Sequence, residues 1–398
     1  DLHSFPTRRS SDLVGERDAV IVAYGRSAMA KAKKGSLAYV HPVDYGSQVI
    51  RGILAKLPKF DYALIDDVIS GTAMPQEYVG FNIGRLLAQA ADLPDDVPGQ
   101  TVNRFCASGL QAIATAANAI RSGDMDIVIA GGVERMTGIY IGQPDEYKYS
   151  PLDVKKPGTY MFMGITAENV AEQFNITRKE MDAMAVESHR RAAAAQAAGK
   201  FREEIIPITI KKSGEEQIFV SDEGIRPGST LESLSSLKPC FKDDGNVTAA
   251  TSSQMTDGAA FVVMMARETA EKLACKPIAT FMKYVVSGVP SEIMGIGPSL
   301  AIPQVMAKAG LNMDDIDVIE LNEAFASQAI YCIRKLDIPT EKVNPNGGAL
   351  ALGHPLGATG AFLTCKILSE LKRRHGIYGL VSMCVGGGMG AAGIYKME

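Results

Sequence analysis

Val102-Asn103-Arg104-Phe105-Cys106-Ala107-Ser108-Gly109-Leu110-Gln111 reads as a strand that passes through a turn into a helix, with a cysteine at the junction. The small residues Ala107, Ser108 and Gly109 predict an accessible sulfur, and the unpaired N–H groups of a helix start favour a thiolate there. Read alone, this cysteine is first a core residue, because free cysteines are among the most buried side chains. Its neighbours decide the fold. Upstream, the apolar run Ala19 to Tyr24 predicts a buried strand, Val43 to Leu57 a helix, Val68 to Gly71 a strand, Gly80 to Ala91 a helix and Gly99 to Asn103 a strand. Downstream, Gly109 to Ile120 predicts a helix ending near Gly123, and Asp126 to Ala130 a further strand. Strand and helix alternate, which predicts an α/β protein built on a mostly parallel sheet.

The same landmarks return later in the same order. Asp67-Val68-Ile69 recurs as Asp317-Val318-Ile319, Val102-Asn103 as Val343-Asn344, and the strand before Gly131-Gly132 as Gly379 to Val385 before Gly386-Gly387-Gly388. A duplicated α/β domain is therefore expected. Between the copies the composition changes: Tyr, Pro, Lys and Asp dominate from Tyr140 to Tyr160. Helices come next at Ala167 to Phe174 and Arg178 to Ala198, the second opened by a capping-box spacing, Thr177 to Glu180. A charged hairpin, Ile205 to Val220, and a Gly/Ser/Pro-rich segment, Gly224 to Pro239, complete an insertion placed to cover substrate. The expected organisation is an N-terminal domain over residues 14–136, an inserted loop domain over 137–251, a return to the first domain over 252–276, and a C-terminal domain over 277–398. Residues 1–13 look foreign to the rest of the chain. They resemble a translated sequencing adapter and are read as a non-native leader.

Composition excludes several classes. The 398 residues are 46% hydrophobic and 22% charged, enough for two domains with their own cores, and a net charge of -4 gives no reason to expect nucleic acid. No apolar stretch is long enough to span a bilayer. The cysteines Cys106, Cys240, Cys275, Cys332, Cys365 and Cys384 are scattered, without the spacing of a zinc or redox site, and fit a reducing, cytoplasmic compartment. No metal is expected, since the five histidines are dispersed.

Three segments of the second half accompany Cys106. Asn322-Glu323-Ala324-Phe325-Ala326 comes directly after the strand Val318 to Leu321; Gly347 to Gly360 is a Gly-rich loop that contains Gly353-His354-Pro355 and enters a helix; Cys384-Val385-Gly386-Gly387-Gly388 ends a strand. Each has a plain reading by itself, Asn322 as a helix cap and His354 as a turn residue among them. In an open α/β sheet, however, strand ends face one crevice. Together they supply a thiol nucleophile, an imidazole to take its proton, a second thiol as acid and base, and glycine N–H groups for an oxyanion. That set suits acyl transfer through a thioester.

On these motifs the chain resembles the thiolase family, acyl-CoA C-acyltransferases, from about Asp18 to Glu398. The resemblance implies the thiolase-like fold: two five-stranded, mostly parallel-sheet α/β domains in an αβαβα arrangement with an inserted loop domain. It implies Cys106 as the acylated nucleophile, His354 as its base, and Cys384 as the group that protonates the departing enolate and later deprotonates CoA. Asn322 would hold a water that, with His354, makes one oxyanion hole, and the N–H groups of Cys106 and Gly386 would make the other. Met163 would lie against the acyl group, Arg226 and Ser233 beside the CoA nucleotide, and Ser253 and Phe241 near the pantetheine arm, with Met294 and Phe325 also among the substrate-binding residues.

The same resemblance implies no permanently bound cofactor, coenzyme A as co-substrate, a homodimer or homotetramer, and a possible β-oxidation multienzyme partner. Phe162 stands where acetoacetyl-CoA-forming members commonly carry His, and Asp222 to Pro227 and Ile293 to Pro298 look closer to degradative 3-ketoacyl-CoA thiolases. Acetoacetyl-CoA thiolase is the alternative expectation. A decarboxylating ketoacyl synthase fits less well because that chemistry pairs its cysteine with two histidines, and a non-catalytic acyl-CoA-binding protein fits less well because the four reactive residues are all present.

Overall fold

A computed structural model describes residues 15–212 and 214–398; the leader read at residues 1–13 lies outside them. Among the described residues the main sheet has ten strands. Its path uses β1 (Ala19–Arg26), β2 (Asp67–Gly71), β3 (Gly99–Val102), β4 (Ile127–Glu134), β5 (Thr256–Ala266), β6 (Ala279–Gly288), β7 (Val318–Leu321), β8 (Tyr378–Val385) and β9 (Met389–Met397). The order is β7-β8-β9-β6-β1-β5-β4-β2-β3, with the short strand Ala30–Lys31 paired off this path to β5.

The duplication is visible in that order. The first half reads β1-β5-β4-β2-β3 outward from the centre, and the second reads β6-β9-β8-β7, with an isolated parallel bridge from Val343 to Ile319 in the place of a fifth strand. The recurring sequences fall on matching strands: Asp67 opens β2 while Asp317 precedes β7, Gly131-Gly132 lie near the end of the adjacent β4, and Gly386-Gly387-Gly388 directly follow the adjacent β8. Within the sheet the halves meet through two residue pairs, Val20 with Thr280 and Ile21 with Ala279.

Parallel pairing holds on the flanks, β2 with β3 and β4, and β7 with β8. The strands nearer the centre run antiparallel. For one of these pairs the chain connection gives the reason. β8 and β9 are joined only by Gly386-Gly387-Gly388, too short for the crossover that parallel neighbours need.

Helices complete five layers. α1 (Pro42–Leu54) and α2 (Ile83–Ala90) share an apolar core with the outer face of the first half, while α6 (Gly297–Ala309) and α7 (Ala326–Lys335) do so for the second. Between the halves lie α3 (Ser108–Ser122) and α8 (Thr359–Arg374), whose apolar residues join strands of both halves in one core. Every residue of α8 from Thr359 to Leu371 is buried, as expected for a helix enclosed on all sides. The first turns of α3 and α8 touch backbone to backbone. A Cβ on Gly360 would stand 2.3 Å from Leu110 N, and one on Gly109 would stand 2.9 Å from Ala361 N. Only glycine fits there.

The insertion contributes α4 (Met163–Gln173), α5 (Arg178–Ala197) with the expected capping box of Thr177 and Glu180, and the expected hairpin, Ile208–Lys212 with Glu215–Phe219. It is tied to the first half by Arg26 at the end of β1. Its guanidinium is buried and donates to Asp222 at 2.7 and 3.0 Å and to Glu204 at 2.9 Å. The bidentate geometry offsets part of the cost of burying those charges.

Candidate active site

The cysteine turn is a 3-10 turn, Phe105–Ala107, between β3 and α3. Phe105 adopts φ +43°, a left-handed conformation unusual for a bulky residue. It is held there by its N–H donating to Asn103 Oδ1 at 2.8 Å, while Ser108 Oγ accepts from Arg104 N at 2.9 Å and donates to Phe105 O at 2.7 Å. The structure corrects the expectation of an accessible, thiolate-leaning sulfur. Cys106 is buried, and burial pushes its thiol up to about 11, although the N–H groups of Gly386 and of Cys106 itself point at the sulfur and pull the other way. Loss of water around the sulfur outweighs the helix start.

Cys384 is the penultimate residue of β8, two residues before Gly386, and burial together with the neighbouring Cys106 holds its thiol well above the ordinary value. His354 is also buried, which lowers its pKa to about 4 and leaves the imidazole neutral. Its Nδ1 lies 2.6 Å from Thr359 Oγ1 and its Nε2 lies 3.4 Å from Asn322 Nδ2. The tautomer that donates Nδ1–H to Thr359 leaves Nε2 unprotonated, as the acceptor facing the Asn322 amide. Asn322 comes directly after β7, with its N–H on Ser382 O of β8 at 2.9 Å, and its buried Oδ1 has no protein partner among the described residues. At neutral pH the resting site is thus two thiols and an unprotonated base, with no ion pair.

The apolar residues expected around substrate come together. Met163, Phe241, Met294 and Phe325 share one cluster with Cys384, and a Cβ on Gly386 would stand 3.5 Å from Met163 Sδ. Phe162, half exposed, leads inward to Phe241 at 5.8 Å between ring centroids, and Phe241 to Phe325 at 6.0 Å. The polar candidates are placed less tightly. Arg226 is exposed, with its N–H donating to His189 Nδ1 at 3.0 Å, and Ser253 N–H donates to Ala324 O at 2.9 Å. The Ser233 hydroxyl is engaged in capping the short helix Leu231–Ser235 with Thr230, a structural use beyond the nucleotide contact expected of it.

Two side chains of the site carry little signal in the sequence. Thr359 orients the imidazole, and its only signal is its place five residues after His354 in a Gly-rich loop. Glu134 ends β4 fully buried, where burial lifts its carboxyl to about 7 despite N–H groups from Ala73, Gly357 and Met74 and the Thr72 hydroxyl. A cavity of about 390 Å³ lies away from the thiols, between α5, α7 and Asn344, with the buried Glu323 in its wall. Among the described residues no group of His, Cys, Asp and Glu could hold a metal, and no helix is long and apolar enough to cross a membrane.

Two thiols and an imidazole at the strand ends of a duplicated α/β fold are the groups that acyl transfer through a cysteine thioester calls for. The thiolase N-terminal domain model matches residues 19–268 and the thiolase C-terminal domain model residues 275–397, so the chain belongs to the thiolase family. It is 48% identical to the 3-ketoacyl-CoA thiolase of Bacillus subtilis, over 96% of this chain and 100% of that one. The dimeric peroxisomal thiolase of Saccharomyces cerevisiae superposes with a TM-score of 0.92 at 40% identity, over 98% of this chain and 100% of the other. The acetyl-CoA acetyltransferase of Bacillus anthracis superposes with a TM-score of 0.89 at 39% identity, over 96% and 99%.

Proposed function

We propose that the chain is a 3-ketoacyl-CoA thiolase that cleaves 3-ketoacyl-CoA with CoA, reversibly, to acetyl-CoA and an acyl-CoA two carbons shorter, as in fatty acid β-oxidation. The reading rests on one observation: the Cys106 sulfur receives two backbone N–H groups, its own and that of Gly386, beside the second thiol, Cys384. In the forward direction His354 Nε2 takes the Cys106 proton and the sulfur attacks the 3-keto carbon. The bond between carbons 2 and 3 breaks, and the electron pair leaves with acetyl-CoA, which is protonated by the Cys384 thiol. The Cys384 thiolate then takes the proton of incoming CoA, whose sulfur attacks the thioester and releases the Cys106 thiolate, which regains its proton from His354.

The N–H groups of Cys106 and Gly386 fit the oxygen of an acyl group on that sulfur, since they already point at it. Asn322 Oδ1, lacking a protein donor, fits a water that completes the second hole with His354. CoA is a co-substrate in this scheme, with Arg226, Ser233 and Ser253 as candidates near it. The aromatic path from Phe162 to Phe325 favours acyl chains longer than acetoacetyl. Acetoacetyl-CoA thiolase remains the second reading, favoured by the likeness to the Bacillus anthracis acetyltransferase.

A homo-oligomer is part of the reading, because β3 leaves one edge of the sheet open and the yeast relative is dimeric. A cytoplasmic location fits the six free cysteines. The deciding measurement is kcat/KM for acetoacetyl-CoA against 3-ketohexadecanoyl-CoA, with mass spectrometry of the trapped acyl-enzyme. A higher value for the long substrate and an adduct on Cys106 are expected; preference for acetoacetyl-CoA selects the second reading, and an adduct elsewhere overturns the assignment of the nucleophile.

A further inference from the structure

Cys106 belongs to the first half of the molecule and His354 to the second, so their alignment depends on what joins the two loops. One buried carboxylate does so. Glu134 Oε1 accepts from Thr72 Oγ1 at 2.9 Å, and Oε2 accepts from Ala73 N at 2.6 Å and from Gly357 N at 2.8 Å. Gly357 lies three residues beyond His354, and Leu356 N–H donates to His354 O at 2.9 Å. Thr72 and Ala73 in turn hold the cysteine turn from both sides: Asn103 Nδ2 donates to Ala73 O at 3.2 Å and Ser108 Oγ lies 3.4 Å from Thr72 O. Gly357 has no room to carry a side chain, since a Cβ there would stand 2.5 Å from Thr72 Cα and 2.7 Å from Glu134 Oε2.

We propose that Glu134 is the positioning residue that registers the Cys106 turn against the His354 loop across the seam between the halves. It touches neither substrate nor the reacting atoms. A chain of hydrogen bonds runs from it to the residues flanking the nucleophile and to the loop carrying the base. The joint also has an electrostatic side, because the Glu134 charge disfavours the Cys106 thiolate. The ionisable groups near it are Tyr45 on α1, whose hydroxyl donates to Glu134 O at 2.8 Å, Asp257 on β5, which accepts from Thr137, and Arg135, which donates to Ala38 O and Thr137 O. None of these carries the two N–H groups that Glu134 Oε2 holds together.

The test compares E134Q with E134A in the full chain, by steady-state kinetics and by the pH profile of Cys106 alkylation with iodoacetamide. A glutamine keeps the register, since its carbonyl can take both N–H groups while its amide donates to Thr72. E134A should lose about 100-fold in kcat with KM within about twofold, the scale expected when reacting groups are displaced by about an ångström. E134Q should retain at least about a fifth of kcat and be alkylated at lower pH than wild type, because the carboxylate charge is gone.

An E134A enzyme that keeps more than a third of kcat, or an E134Q enzyme that loses as much as E134A, overturns the proposal. If E134A does not fold, T72V removes one bond of the joint and should lower kcat by about tenfold; an unchanged kcat there counts equally against it. The kinetic arm rests on the thiolase reading, whereas alkylation needs no substrate. A shifted alkylation profile in an enzyme inactive on every ketoacyl-CoA would therefore retain the positioning role and sink the substrate assignment alone.

Discussion

The two halves place the same strand and put it to opposite uses. β4 ends in Glu134, a carboxylate closed in by donors, whereas its counterpart β8 ends beside Cys384 and runs into Gly386, leaving a thiol and a free N–H facing Cys106. The first half therefore contributes the nucleophile with its own N–H and a buried carboxyl, while the second contributes the imidazole, the second thiol and the Gly386 N–H. A duplicated scaffold gives two equivalent sets of strand ends at one seam. Asymmetry between them is what makes an acid, a base and a nucleophile available together.

The largest effects should come from exchanging those roles. Cys106→Ala is expected to lower turnover by at least about 10⁴-fold and to eliminate the acyl adduct in a mass spectrum. Cys384→Ala should cost about 10²- to 10⁴-fold, the range of general acid–base catalysis, while an adduct on Cys106 remains detectable. Equal loss of the adduct in both variants would erase the distinction between the halves.

Next in size is the joint between the insertion and the first half. Asp222→Asn should destabilise the protein by about 3–5 kcal/mol, seen as a lower urea midpoint, because it leaves Arg26 buried beside a single carboxylate. The midpoint of the wild type would mean that the insertion is held elsewhere.

A smaller change sharpens the role of the base. Thr359→Val removes the partner of His354 Nδ1 and should lower kcat by about tenfold, corresponding to about 1–2 kcal/mol for one buried hydrogen bond. In the wild type, kcat/KM should fall on the acid side as pH approaches the imidazole value of about 4, because the imidazolium cannot take the thiol proton. An acid limb near pH 7 would contradict the neutral, buried histidine. Smallest is Thr177→Ala, which breaks the capping box of α5 and should cost about 1 kcal/mol in thermal or urea unfolding with activity unchanged.

Much of this was legible in the residues. Alternating apolar runs and Gly punctuation located β1, β2, β4, β7 and β8 to within a few positions, and the recurrence of Asp-Val-Ile announced the second half. Cys106, His354, Asn322 and Cys384 stood out because each lies at a strand end or in a Gly-rich loop. The state of the thiol was not legible: a local motif shows the helix start and cannot show how many layers cover the sulfur. Glu134 and Thr359 escaped for a related reason, since their partners lie 61 and 223 residues away for Glu134 and five away for Thr359, and no periodic pattern records such bonds. Antiparallel pairing at the centre joins strands far apart in the chain, which strand patterns alone do not encode.

The backbone contact of α3 with α8 divides the molecule into parts with different freedom to change. Any side chain at Gly109 or Gly360 would wedge the nucleophile away from the base, so that crossing admits no gradual variation. The insertion lines the acyl side of the site with apolar neighbours such as Met163 and Phe241. A descendant of this chain can thus acquire a taste for another acyl chain by rewriting residues 137–251, as a lathe takes a new tool without being rebuilt.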